Sequence, residues 1–413
     1  MSESPRARGI GAATAPRATT TFARPRYNAA PEAAIPDDRD GHRRDRLLDR
    51  AVAAHERAIA WRGAGRYAEA ERACRRALAG YEAAEGRRHV DVANALVELA
   101  AILEPRDRPA EARRALVRAL DILQAPTRDL DLVRLRLHAQ LALSGLDRAR
   151  AAYRDADRRL RRALGEARRR LPPRDPLVAS IWNNLGVLRK AEGRYAEAAA
   201  CYRRARPLLG RRDRDAHATL AHNLGGIEHA RGRPAQAEPH ARRAVELREA
   251  AHGRAHPAVA ADLAALAAVV EARGRLTEAA ALYRRALAIF RRTFGARSLE
   301  RGLTLAGLAA VEQQRGRAPR ARQLYGQALP LLTARLGPDH PDVALTLNNL
   351  AVLERDAGRL ARAEALFGRA EDKLRRSAGA RHPHTRLAAE NRRAVQQSRT
   401  DPRRARTASS NRL

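Results

Sequence analysis

An alanine pair with a spacing of seven residues recurs eight times along the chain, and this recurrence constrains the fold more than any other feature. The pairs are Ala70/Ala77, Ala112/Ala119, Ala156/Ala163, Ala198/Ala205, Ala237/Ala244, Ala279/Ala286, Ala321/Ala328 and Ala363/Ala370. Successive pairs follow each other at steps of 42, 44, 42, 39, 42, 42 and 42 residues. Such a period is typical of stacked helix pairs, in which no repeat buries its apolar face alone. The chain is therefore predicted to be all-α, an α-solenoid of about eight helix-turn-helix pairs forming a superhelix.

Each repeat also carries a turn residue five positions before its first alanine. These residues are Gly65, Asp107, Ala151, Gly193, Gly232, Gly274, Gly316 and Gly358. Glycine suits the left-handed backbone that ends a helix. The small alanines that follow let two antiparallel helices approach closely. A larger residue lies midway between the alanines in seven of the eight copies and is predicted to fill the gap between the helices.

Composition divides the chain into an array with two dissimilar ends. Residues 1–45 contain five prolines and no helical apolar period, which predicts a disordered arm rich in Arg, Pro, Ala and Thr. The helical period covers residues 46–385, residues 386–400 are a candidate C-terminal capping helix, and residues 401–413 resemble a disordered basic tail. The third repeat lacks its turn glycine, which makes it a candidate kink or flexible joint.

The chain is strongly basic, with 81 Lys and Arg against 47 Asp and Glu and a formal net charge of +34. A charge of this size attracts polyanions whether or not that is its purpose. The two cysteines imply no disulfide framework, which fits a reducing compartment and hence the cytoplasm. No apolar run approaches the length of a membrane span, so no membrane association is expected.

The motifs of common enzyme classes are missing. Neither lysine follows a glycine, so no P-loop is present, and the chain contains neither His-Glu-x-x-His nor Cys-x-x-Cys. We therefore expect no catalytic residues, no metal site and no cofactor.

The repeats resemble tetratricopeptide repeats, in the 42-residue variant found in kinesin light chains and many bacterial proteins. The resemblance is carried by the alanine pairs, by Gly-Arg-Tyr-Ala-Glu-Ala at 65–70 and 193–198, by His-Pro-Asp-Val at 340–343, and by Asn-Asn-Leu at 183–185 and 348–350. It covers about residues 46–385. These repeats are general protein-interaction scaffolds, so the resemblance implies a non-enzymatic role in binding another protein.

The resemblance also implies a binding surface. In that family, asparagines of the first helix line a concave groove and hydrogen-bond the backbone of a bound peptide. In this chain, residues three positions before the turn glycine border these amides and add charge. In this chain the corresponding residues are Asn183, Asn184, Lys190, His222, Asn223, His229, Asn348, Asn349 and Arg355. The alternative is that the amides bridge neighbouring repeats. A groove of amides and cations suits an extended, acidic segment of a partner protein.

A second function remains open, because arginine pairs recur on the second helix of most repeats. They are Arg75-Arg76, Arg161-Arg162, Arg203-Arg204, Arg242-Arg243, Arg284-Arg285 and Arg375-Arg376. They are expected to form a solvated convex ridge, or alternatively a surface for sequence-nonspecific binding of nucleic acid or another polyanion. Aromatic residues make up only 3% of the chain, so stacking on bases is poorly provided for.

Overall fold

The computed structural model of the chain describes residues 39–150, 152–380 and 383–400. These residues form 17 α-helices and one short 3-10 helix, without a β-strand among them. The all-α prediction is thereby confirmed. Among the described helices, none combines the length and the apolar content that crossing a membrane requires.

The described residues divide into two compact units, residues 39–256 and residues 257–400. The first unit contains ten helices: α1 (Arg39–Gly63), α2 (Tyr67–Glu85), α3 (Val90–Leu103), α4 (Pro109–Ile122), α5 (Leu130–Ala149), α6 (Tyr153–Arg170), α7 (Pro176–Ala191), α8 (Tyr195–Ala205), α9 (Arg214–Ala230) and α10 (Pro234–His252). The second unit contains seven: α11 (Pro257–Ala272), α12 (Leu276–Phe294), α13 (Leu299–Gln314), α14 (Ala318–Leu336), α15 (Pro341–Asp356), α16 (Leu360–Ala378) and α17 (Pro383–Thr400). The first sixteen helices form the eight predicted antiparallel pairs, α1/α2 to α15/α16.

The alanine pairs lie where each second helix packs on its first helix. None of these sixteen alanines is more than 1% exposed. The larger residue between them is buried as well, with Tyr202, Tyr325 and Phe367 among the largest fully buried side chains. The predicted close approach of the two helices is therefore confirmed.

The turn residues also adopt the predicted conformation. The six turn glycines have φ between 73° and 78°, and Asp107 has φ 57° in the same position. At Gly193 the backbone closes as in other left-handed helix ends, since the N–H of Arg194 donates to the carbonyl of Arg189 at 2.8 Å. Asp107 is the one non-glycine residue with positive φ among the residues described.

First helices form the inner surface of each unit. In the first unit α1 packs on α3, α3 on α5, α5 on α7 and α7 on α9; in the second, α11 packs on α13, α13 on α15 and α15 on α17. No comparable packing joins successive second helices in the described part of the chain. Helix α17 therefore takes the place of a further first helix, since it packs on both α16 and α15.

The ends of the array differ from the sequence-based boundaries. Helix α1 begins at Arg39, inside the predicted arm, and Arg44 Nε donates to the carbonyl of Ala84 at 3.0 Å, which ties this extension to the end of α2. The rest of the arm, residues 1–38, and the tail, residues 401–413, lie outside the described residues. The division between units falls after residue 256. The turn position of the third repeat, Ala151, is outside the described residues, so the joint expected there stays a prediction.

Candidate functional site

On α7 and α15, half-buried residues lie 13, 9, 6 and 3 positions before the turn residue. We call this the inner stripe. In α7 it consists of Ser180, Asn184, Val187 and Lys190, all half-buried. In α15, in the other unit, it consists of Leu345, Asn349, Val352 and Arg355, also half-buried. Both helices thus present an amide, an aliphatic side chain and a cation in the same order.

The neighbouring amides tie successive first helices together. Asn223 is 2% exposed, and its Nδ2 donates to Asn183 Oδ1 at 2.8 Å. In the second unit, Asn391 Nδ2 of α17 donates to Asn348 Oδ1 at 3.3 Å. The bridging alternative thus describes the contacts that Asn183, Asn223 and Asn348 make.

The remaining amides and His222 occupy different environments. His222 is buried, as is Asn348, so neither side chain is on the accessible surface. Asn184 Nδ2 donates to the carbonyl of Ser180 at 2.9 Å, within its own helix, and the Asn349 side chain hydrogen-bonds the hydroxyl of Tyr325. Of the five asparagines singled out from the sequence, Asn184 and Asn349 are the two that lie on the inner stripe of a first helix without bonding the next one.

The cations of the first unit form a series that the sequence analysis missed in part. Lys190 and His229 lie three positions before their turn glycines, and Arg148 of α5 lies three positions before Ala151 in the same register. Burial lowers the pKa of Lys190, and the charge of Arg148 lowers it further. Burial likewise lowers the pKa of His229, with a contribution from Lys190. Arg148 escaped notice because its repeat has no turn glycine to mark the register.

At the start of the first unit, the cation three positions before the turn is neutralised by a carboxylate. Arg62, three positions before Gly65, is buried and donates to Glu98 Oε1 at 2.5 Å. Glu98 lies nine positions before the next turn residue, where α7 and α9 have Asn184 and Asn223. An ion pair therefore joins the first repeat to the second, at a position where α7 and α9 offer only amides.

In the second unit the same register carries Glu271, Gln313 and Arg355. Burial raises the pKa of Glu271 to about 7, against hydrogen bonds from Gln314 and Tyr283 that lower it. Gln313 Oε1 accepts a hydrogen bond from Tyr325 at 3.2 Å, and Arg355 pairs with the adjacent Asp356 at 3.0 Å. This part of the inner surface thus has polar groups that are already partnered.

The arginine pairs of the second helices are largely exposed, as expected for a solvated ridge. Many of them are engaged by carboxylates of the protein itself: Arg75 with Glu71, Arg161 with Asp157, Arg242 with Glu238, Arg284 with Glu312, Arg375 with Glu371 and Arg376 with Asp339. Arg204 lies over the Trp182 ring at 4.7 Å. These contacts reduce the positive charge that the ridge can offer to a polyanion.

One group of side chains has the composition of a metal site. Ligand atoms of Glu85, His89 and Asp91 lie within 4.8 Å of one another. However, His89 caps α3, since its Nδ1 accepts from the N–H of Asp91 at 3.3 Å. His340 caps α15 in the same way through Asp342, at 3.2 Å. The shared geometry indicates helix capping.

The thiols are not placed for chemistry. Cys74 and Cys201 are both free and buried. Burial raises the pKa of each thiol, which disfavours the reactive thiolate.

Comparison with known proteins agrees with this architecture. A family model described as tetratricopeptide repeat matches residues 49–125, 216–292 and 300–376, and a second model of the same description matches residues 179–205. No curated protein sequence matches the chain.

Several solved structures align with this chain. The APC/C hetero-tetramer Cut9-Hcn1 aligns at a TM-score of 0.50 and 15% identity, covering 78% of this chain and 59% of that one. The signal transduction ATPase with a tetratricopeptide repeat sensor from Pyrococcus horikoshii aligns at 0.50 and 13%, covering 80% and 50%. A putative kinesin light chain with nearly identical repeats from Podosopora anserina aligns at 0.30 and 18%, covering 59% and 97%.

This chain spans 59% and 50% of the length of the first two of these proteins, and at 15% and 13% identity the likeness to them concerns the fold alone. The family models, in contrast, match more than half of the chain. Together with the eight helix pairs, their buried alanines and their left-handed turns, this match shows that the chain belongs to the tetratricopeptide repeat family.

Proposed function

We propose that this protein is a non-enzymatic scaffold whose inner surface binds an extended, acidic segment of another protein. The observation that carries the proposal is the inner stripe of α7, which presents Asn184, Val187 and Lys190 in sequence, half-buried and facing the side on which repeat arrays bind their partners. Helix α15 presents the same order in the second unit, where Asn349 bonds Tyr325 and Arg355 pairs with Asp356.

Each member of the stripe matches one part of an extended peptide. Asn184 uses its Nδ2 within its own helix, and its Oδ1 is left to accept a backbone N–H of the ligand. Val187 offers an apolar contact for a side chain. Lys190 and the neighbouring Arg148 offer cations, so we expect an acidic residue to follow the apolar one along the segment.

Charge also favours an acidic partner. The net charge of +34 attracts acidic segments from a distance, whereas the final affinity depends on contacts made in the groove. The alternative, nonspecific binding of nucleic acid through the second-helix arginines, rests on the same net charge. It is less favoured because so many of those arginines are paired with carboxylates.

The test compares two variants of the full chain. Asn184→Ala together with Asn349→Ala removes both accessible amides, while Arg162→Glu together with Arg203→Glu reverses two exposed second-helix charges that have no partner among the described residues. Partners are captured from nuclease-treated lysate, identified by mass spectrometry, and their affinities measured at two salt concentrations.

We expect the amide variant to bind its partner about tenfold more weakly, since each lost hydrogen bond contributes about 0.5–1.5 kcal/mol. The arginine variant is expected to bind within a factor of about two of the unmodified chain. If the arginine variant loses binding, the amide variant retains it and affinity falls steeply with salt, the nucleic-acid alternative replaces the groove.

A further inference from the structure

Three cations of the first unit stand in one register on successive first helices. Arg148 of α5, Lys190 of α7 and His229 of α9 each lie three positions before the turn, and each is half-buried. The charge of Arg148 lowers the pKa of Lys190, and the charge of Lys190 lowers the pKa of His229, in the order of the helices along the stack. No side chain among the described residues forms a hydrogen bond or ion pair with any of the three.

The acidic residues of these helices are engaged elsewhere. Asp147, next to Arg148, is fully buried and pairs with Arg113 at 2.5 Å, Arg150 at 3.1 Å and Arg159 at 3.3 Å. Glu228, next to His229, pairs with Arg231 at 3.0 Å. Asp147 and Glu228 are therefore engaged by arginines, and neither carboxylate pairs with Arg148, Lys190 or His229.

The first two repeats show how a cation in this position is neutralised by a carboxylate. Arg62 pairs with Glu98, which occupies the position nine residues before the next turn. For Arg148 and Lys190, the corresponding positions hold Asn184 and Asn223. An amide accepts one hydrogen bond but supplies no negative charge, so both cations lack the counter-charge that Arg62 has.

A close glycine contact and a further donor accompany the cations. The ammonium of Lys190 lies directly against Gly226, in the interior of α9, at a place where any side chain on that residue would collide with it. The hydroxyl of Tyr202 is buried, has no hydrogen-bond partner among the described residues, and interacts electrostatically with Arg148. An orphaned donor beside uncompensated charge is the arrangement expected of an anion site without its ligand.

We propose that Arg148, Lys190 and His229 bind a dianionic oxyanion of the phosphate-monoester type, carried on the bound protein segment as a phosphorylated side chain. This rests on the proposed function, because the phosphate arrives with that segment. Arg148 and Lys190 are two adjacent cationic groups, whose combined charge a phosphate of about −1.5 to −2 neutralises and a single carboxylate does not. Arginine donates to two phosphate oxygens and lysine to a third, while His229 donates through its protonated or neutral ring.

The direct test measures binding of inorganic phosphate to the full chain in about 0.15 M NaCl by calorimetry and by thermal midpoint, with sulfate and acetate for comparison. Arg148→Gln and Lys190→Gln are each expected to weaken phosphate binding at least tenfold. Arg203→Gln, which removes an exposed charge from the neighbouring second helix, is the matched control and is expected to change it less than twofold. Sulfate is expected to compete with phosphate, whereas acetate is not.

A fourth variant keeps the cations and supplies their counter-charge. Asn184→Glu copies the Arg62–Glu98 pair opposite Arg148, so it is expected to raise the thermal midpoint without phosphate and to abolish the further rise that phosphate produces. If the two glutamine variants bind phosphate as well as the unmodified chain does, the phosphate lies elsewhere on the basic surface and the proposal is wrong. Equal binding of acetate would also overturn it.

A last arm separates this inference from the proposed function. The captured partner is treated with phosphatase before its affinity is measured; we expect at least tenfold weaker binding to the unmodified chain and no further loss in Lys190→Gln. A partner that binds equally well after phosphatase and still requires Asn184 would overturn the phosphate site and leave the groove intact. If inorganic phosphate binds as predicted but no partner depends on the inner amides, the proposed function fails instead.

Discussion

The two roles open to the asparagines can be separated by replacing Asn223, which is buried and bridges α9 to α7. Asn223→Ala removes the 2.8 Å hydrogen bond to Asn183 Oδ1. A neutral hydrogen bond contributes about 0.5–1.5 kcal/mol, and alanine returns roughly 0.5 kcal/mol through its better helix propensity. Asn183 is half-buried, so its freed oxygen regains water and adds no further cost. The net loss of stability is therefore expected to be about 0–1 kcal/mol.

Asn184→Ala is the matched control, one residue away on the same helix as Asn183. Its hydrogen bond to the Ser180 carbonyl is made within one helix and near solvent, so the gain in propensity offsets the loss and stability stays within about 0.5 kcal/mol. The assay is urea unfolding of the full chain followed by far-UV circular dichroism. It is fitted with nearest-neighbour coupling between repeats, since arrays of this kind need not unfold in one step.

The decisive quantity is the coupling between Asn183→Ala and Asn223→Ala in a double-mutant cycle. If the two amides bridge the helices, the double variant should be less destabilised than the sum of the single variants, by about 0.5–1.5 kcal/mol. Additive effects in the cycle would refute the bridging role and return Asn223 to the list of groove residues.

Two further predictions concern the second unit. Gly358→Ala should destabilise the chain by about 1–2 kcal/mol, because Gly358 has φ 76°. Gly326→Ala, in a helix and with open space around its Cα, should stabilise it by about 0.5–1 kcal/mol. Thermal melts compare the two variants, and equal effects would contradict the turn assignment. Burial raises the pKa of Glu271 to about 7 from the ordinary 4.5, so the folded state holds a proton that the unfolded state has lost, and stability should fall as the pH rises between these values and level off above. Glu271→Gln should remove that fall, and melts at pH 5 and pH 8 should show its advantage only at the higher pH.

The fold was predictable because its determinants are local and repeated. A small residue at Ala363 and Ala370, a large one at Phe367 and a glycine at Gly358 fix the crossing and the turn within one 42-residue window. Eight copies of that pattern leave little room for another architecture. The start of α1 was misplaced because its first residues are held by a contact of Arg44 with the end of α2, which no local pattern reveals.

The candidate site was predictable in position but not in the state of its residues. Adjacent asparagines such as Asn183 and Asn184 differ by about 100° around the helix, so one bonds the next repeat while the other bonds its own helix. Sequence places both near the inner surface and cannot say which bond forms. Arg148 went unrecognised for a different reason. The turn position of its repeat holds alanine instead of glycine, and its lack of a counter-charge depends on residues from two other repeats.

Helix α17 has a consequence for how arrays of this kind change length. It packs on α16 and α15 as a first helix would, and Asn391 gives Asn348 the same kind of amide contact that Asn223 gives Asn183. The surface of α15 and α16 that it covers is therefore the one against which a further repeat would pack. Duplication of a helix pair immediately before α17 would recreate both contacts at the new end, so growth or loss in steps of one repeat requires no redesign of the terminus. Tandem copying of DNA segments that encode single repeats thus meets no structural barrier at this end of the chain.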